Sequence, residues 1–294
     1  MTTRHEVARF AVRANVAADK LADRLDPQVE RAAKQLLAQV VAALRSGATA
    51  PEKRAQLLRL AAATKANPAV VDAMTATAGR ALRVGADAAA AEVGPKAPGI
   101  VGAEETATAA VLRRYAAENE RRLRLGIFQD ALAILDATRP EFLPDVADTV
   151  ARALPLSWQG PDANRVQLIT TSLARNAMGL GRMTVLRRPV SKAQLPYWYF
   201  TAILDENTSD LCIDCDGVLL PAGHPWWTTR TPQLHFKCRS AIVGVTKAQM
   251  EALGGVTKDP PDVIPQEGFG KAGGLCVLDP SPPYYDRALL QRLK

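Results

Sequence analysis

The sequence predicts an α+β fold: a mainly helical region over residues 1–155, a small α+β module over 156–258, and an extended Pro/Gly-rich tail over 259–294. Two contrasts lead to that division. Residues 1–155 are crowded with Ala, which loses no side-chain entropy in a helix, and with Leu and Arg, which lose little. All four cysteines and eleven of the fifteen Phe, Trp and Tyr residues lie after residue 155. Two unlike halves imply two unlike architectures, and 294 residues are enough for about two domains.

Each helix of the first half is readable from spacing. Val7, Ala11, Ala14, Ala18, Leu21 and Leu25 advance by steps of four and three and share one face. Asp26-Pro27 reads as a cap and first-turn pair that opens a second helix, with Val29, Ala33, Leu36, Val40 and Ala43 as its stripe, closed by Ser46-Gly47. Thr49 or Ala50 before Pro51 opens a helix to about Thr64, and Asn67-Pro68 opens one toward Ala91. Glu104 to about Thr138 reads as one long helix ended by Arg139-Pro140, and a short helix precedes Pro155. These stripes bury one another as a bundle, with one Ala-rich face expected to be left for a protein partner. The Arg113-Arg114 and Arg121-Arg122-Arg124 clusters, with Glu118 and Glu120 among them, read as solvated helix faces.

In the second half, Arg165 to Gly179 reads as a helix ended by Gly179-Leu180-Gly181. Pro196–Leu204 and Ala241–Val245 read as strands, being aromatic and β-branched. From Pro260 the chain is Pro- and Gly-rich, with at most one closing helix at Arg287 to Leu293.

Composition excludes several classes. With 48% hydrophobic and 23% charged residues, wholesale disorder is ruled out. Apolar runs such as Leu36 to Leu44, interrupted by Gln39, fall short of the ~20 residues that span a bilayer. The first six residues show no apolar core, so a cytosolic or particle-borne protein is expected rather than a secreted or membrane one. The net charge of +7 suits an anionic partner without requiring one. From Arg165 to Lys192 there are six basic residues and no acid. Phosphate contact through Arg182, Arg187, Arg188 and Lys192 is one reading of that stretch; a solvated surface is the commoner one.

The segment that carries chemistry runs from Asp205 to Arg239. Cys212-Ile213-Asp214-Cys215 is followed by Asp216-Gly217 and then by His235-Phe236-Lys237-Cys238. Two cysteines separated by two residues can face one ion, and a later His-x-x-Cys supplies the other corners of a tetrahedron. Cys212, Cys215, His235 and Cys238 therefore form a candidate Cys3His structural zinc site, and thiolate and imidazole ligands argue against Mg or Ca. The alternative is four reduced side chains, Cys212 and Cys215 in the core and His235 hydrogen-bonded. Cys276 reads as a free thiol, and His224 as a loop histidine beside Trp226 and Trp227, which anchor a small core. No Ser-His-Asp set, phosphate-cradling Gly loop or His-Glu-x-x-His pattern supports catalysis.

These residues resemble the core of the phage minor head protein family, also called head morphogenesis or phage Mu F-like. The resemblance rests on the order helix, aromatic strand, Asp205…Thr208…Asp210…Cys212-x-x-Cys215-Asp216-Gly217, then Pro232…His235-x-x-Cys238-Arg239. Gln266-Glu267-Gly268-Phe269-Gly270 looks like the Gly-aromatic element that follows, and the resemblance covers about residues 165–272. Ser240 stands where the family has a last Cys, Lys237 where it has Asn, and Thr170-Thr171-Ser172 only echoes its Arg-Thr-Glu. The resemblance implies a non-enzymatic minor capsid component of a tailed phage or prophage, located in the virion at the portal vertex and in the host cytoplasm during assembly. Its implied partners are the portal and other head proteins, with packaged DNA as a further contact. The runner-up is a zinc-dependent nuclease or toxin-like enzyme using Asp214, Asp216, His224 and His235. A third reading, a zinc-finger regulator, lacks a basic recognition helix after the metal residues.

Overall fold

The computed structural model describes residues 4–94, 97–159, 165–266 and 269–270. Among them the order is α1 (Arg4–Ser46), α2 (Ala50–Ala63), α3 (Pro68–Val93), α4 (Gly102–Ala137), a 3-10 helix (Pro140–Asp145), α5 (Val146–Gln159), α6 (Arg165–Leu186), α7 (Pro189–Gln194), β1 (Tyr197–Thr201), α8 (Asp210–Cys215), β2 (Leu219–Pro221), a 3-10 turn (Pro225–Thr228), β3 (Ala241–Val245) and α9 (Lys247–Ala252). The fold is α+β with a mainly helical N-terminal part, as expected. No helix among the described residues is long and apolar enough to cross a membrane. Cys276 and the helix expected at 287–293 lie outside the described residues.

Three expected helix ends are absent. α1 continues through Pro27, although proline removes a backbone bond. The reason is visible in its stripe: Ala18, Ala22, Leu25, Val29 and Ala33 are all buried, so the apolar face is unbroken across the proline. α5 likewise passes through Pro155. α6 does not stop at Gly179-Leu180-Gly181 but runs on to Leu186. There glycine serves contact, not termination. A Cβ on Gly181 would lie 1.9 Å from the Leu82 carbonyl oxygen, and one on Gly85 of α3 would lie 1.9 Å from that of Met178. The two helices therefore cross with backbones touching.

The strands form an antiparallel sheet in the order β2-β1-β3. Trp198 of β1 stands opposite Leu220 of β2 and Gly244 of β3.

The chain does not divide at residue 155. The described residues of 1–24, 75–115 and 171–278 form one compact unit, and those of 25–74 and 116–170 another. The first unit gathers helical and sheet segments because one core serves both. Ala86, Ala89, Met183 and Leu186 join Trp198, Phe200, Trp226, Trp227, Cys212, Cys215, Cys238 and Ile242 in a single cluster. Trp226 and Trp227 pack edge to face at 4.9 Å, and their indole N–H groups donate to the carbonyls of Pro261 and Pro221. They anchor the core, as their sequence context suggests.

The second unit is an all-helical cluster. Its α2 opens with a capping box: the Thr49 hydroxyl accepts from Glu52 N–H, and the Glu52 carboxylate accepts from Thr49 N–H at 2.9 Å. Asn67 caps α3 through Ala69 and Val70 N–H. The buried Lys53 ammonium donates to the Leu44 carbonyl at the end of α1.

Candidate metal centre

The site is assembled from two turns that the sequence specifies locally. The first follows β1. Asp205 begins an Asx-type turn in which its carboxylate accepts from Asn207 N–H at 3.0 Å, and the Thr208 hydroxyl accepts from Asp205 N–H at 3.0 Å. Ser209 then caps α8, accepting from Cys212 N–H. The cap makes Cys-x-x-Cys one helical turn, and Gly217, at φ +84°, ends it. Asp216 accepts from Ala202 N–H at 2.8 Å, tying the turn back to the end of β1.

The second turn carries His235 and Cys238. Gln266 N–H donates to the Leu234 carbonyl at 2.9 Å, Gly270 N–H donates to Gln233 at 3.0 Å, and Phe269 packs edge to face on Phe236. The Gly-aromatic element thus braces the histidine loop from behind. Lys237 lies at φ +58°, a conformation that Gly and Asn adopt most readily. Its carbonyl accepts from the Arg175 guanidinium at 2.8 Å. Arg175 is buried and grips Asp19 of α1 through two bonds of 3.0 Å. Arg239 clamps the first turn by donating twice to the Asp205 carboxylate, once at 2.6 Å.

These braces bring Cys212, His235 and Cys238 together, with their donor atoms all within 4.8 Å of one another. Cys212 Sγ lies 3.6 Å from Cys238 Sγ and 3.1 Å from His235 Nε2. A tetrahedral site with metal–sulfur bonds of ~2.3 Å would set a sulfur–sulfur edge of ~3.8 Å. The orientation of the ring fits as well. His235 Nδ1 lies 2.6 Å from the Phe236 carbonyl, which can only accept, so Nδ1 carries a proton and Nε2 is the ring atom that faces the sulfurs. Ser209 Oγ lies 2.8 Å from the same Nε2.

The three groups shift one another's ionisation through direct contacts. Burial opposes ionisation of Cys238, yet bonds from Cys212 and His235 hold its thiol well below the usual range. The bond to Cys238, then burial, push the Cys212 thiol up. Burial lowers His235, but its contacts with Cys238 and the Phe236 carbonyl outweigh that and raise it. A divalent cation would replace this proton sharing by neutralising both sulfurs.

The fourth expected ligand is placed differently. Cys215 is fully buried in the core, and its sulfur is not within the 4.8 Å group. Burial first, then the Asp214 and Cys238 charges, push its thiol up to about 12. The donor set among the described residues is therefore Cys2His, which suits a soft or borderline metal and not Mg or Ca.

The residues of the nuclease reading do not converge. His224 caps the turn at Pro225–Thr228 by accepting from Trp226 N–H, Asp216 holds Ala202, and Asp214 is exposed. Nor do the basic candidates form a free stripe. Arg182 is buried, bonded to Glu92 and to the Ile242 carbonyl, so its charge is spent inside the protein. Arg188 is engaged by Glu104 and by the carbonyls of Pro98 and Gly99. Arg187 and Lys192 of that set are partly exposed. Sequence spacing gave no sign of Ser209 or of the Asp19–Arg175 brace.

Comparison with family models, with curated proteins and with solved structures finds no match to this chain.

Proposed function

We propose that this chain is a minor head protein of a tailed phage or prophage, acting in head assembly at the portal vertex, with a structural zinc pinning its α+β module. The observation that carries this reading is the convergence of the motif residues. Arg239 bonds Asp205 across 34 positions, Cys212 meets His235 and Cys238 across 23 and 26, and Asp216 ties the same turn to Ala202. In this arrangement the residues of the resemblance are used to hold a small module together, which is the role of structural metal sites.

The reading is tested in particles. Heads purified after induction of the encoding prophage should contain the chain in a few copies, and pull-down of the chain from that lysate should retrieve the portal protein encoded with it. Absence from both procapsids and mature heads would overturn the proposal. Separately, protein purified without chelator should carry about one zinc per chain. None, together with unchanged stability of Cys238→Ser, would remove the metal from it.

A further inference from the structure

We infer that the metal centre is completed by an oxygen donor on the side of Ser240, not by Cys215. The inference rests on the metal reading above and goes beyond it to the composition of the site. A Cys2His cluster leaves one tetrahedral corner, and two elements of the chain compete for it. Cys215 is the candidate by spacing. It sits one helical turn from Cys212, but its sulfur stands outside the donor group.

Ser240 is the candidate by position. It lies two residues past Cys238, is 5% exposed, and its hydroxyl lies against the Cys212 thiol with no stronger hydrogen-bond partner among the described residues. A thiol is a weak partner for a buried hydroxyl, which leaves the oxygen lone pairs open to a ligand at that point. Ser240, Ser209, Cys212 and His235 line the same recess of about 10 Å³, and Ser240 also borders a cavity of about 440 Å³ with Arg175, Arg182 and Gln233. The volume of the recess is close to what one water occupies, and the polar lining supplies the partners such a water needs. The fourth corner thus opens toward two hydroxyls, and an oxygen reaches it either from Ser240 itself or from a water held there. The resulting site has two sulfurs, one nitrogen and one oxygen.

X-ray absorption of the zinc-loaded, full-length protein counts the sulfurs directly without any substitution. Two sulfurs per zinc support the inference; three overturn it. Position 240 is then tested with Ser240→Cys, which should raise the count to three and raise the thiolate-to-metal absorption of the cobalt-substituted protein by about half. An unchanged count in that variant overturns the assignment of the corner to position 240. Cys215→Ala should keep the wild-type cobalt spectrum, and loss of thiolate intensity there also overturns it. A wild-type protein that takes up neither zinc nor cobalt defeats the metal reading as a whole, a result distinct from all of these.

Discussion

Lys237 holds its backbone at φ +58°, where a side chain with a Cβ is strained by about 1 kcal/mol or more. The conformation is imposed from both sides, by the Arg175 bond to its carbonyl and by the approach of Cys238 to Cys212. Its side chain is exposed, so nothing but the backbone opposes replacement. Lys237→Asn should therefore stabilise the protein by about 0.5 kcal/mol, read from denaturant midpoints, with the metal content unchanged. Asp19→Asn should do the opposite. It leaves the buried Arg175 guanidinium half-compensated and should cost about 2 kcal/mol in the same measurement. At this scale the sequence revealed the donors Cys212, His235 and Cys238, because ligand spacing is local. It could not reveal that Cys215 stands outside the donor group or that Arg182 is buried, since both depend on α3, α6 and the sheet meeting in space.

The elements were more legible at their starts than at their ends. Thr49 and Asn67 announce α2 and α3 because a cap satisfies backbone groups within its own turn. The ends depend on what lies across the helix. Gly181 looks like a stop but is a contact, and Pro27 looks like a start but lies mid-helix over a continuous buried stripe. Two glycines in helices separate these meanings. Gly181→Ala would press a methyl into the Leu82 carbonyl and should cost about 2–3 kcal/mol. Gly79→Ala in α3 meets nothing within 4 Å and should stabilise by about 0.5–1 kcal/mol. Equal effects of the two on thermal unfolding would refute the backbone-contact account of the α3–α6 crossing. A second element-scale test concerns the start of α4. Burial raises the Glu104 carboxyl, but the bond from Arg188 and that from Val101 N–H outweigh it and hold the group below its ordinary value. Because the folded value is the depressed one, this contribution is full above the unfolded value of about 4.3 and is lost as pH falls through the folded one. The melting-temperature gap between wild type and Glu104→Gln should accordingly narrow on acidification below pH 4.3, and a gap independent of pH would exclude the pair as its source.

At the scale of the whole chain, the sequence suggests a boundary near residue 155 that the packing does not respect. Composition changes there, but α1, α3, α4 and α6 each supply residues to both compact units, and sequence periodicity has no means of showing such sharing. The unit that contains the sheet has short strands of three to five residues and long connections between them. Between β2 and β3 the chain runs through 222–240 with only one 3-10 turn of its own, so its order depends on the Trp pair and on the Cys212–His235–Cys238 cluster. A metal bound there links residues 23 and 26 positions apart and stabilises the folded state by mass action, about 2.7 kcal/mol at a free concentration one hundred times the dissociation constant. Removal of metal should then act locally before it acts globally. Limited proteolysis in chelator should cut first within 222–240, with α2 and α5 still protected, and the melting temperature should rise again with added zinc. Cleavage that begins in the helical unit, or a melting temperature indifferent to chelator and zinc alike, would mean that the aromatic core alone orders this segment.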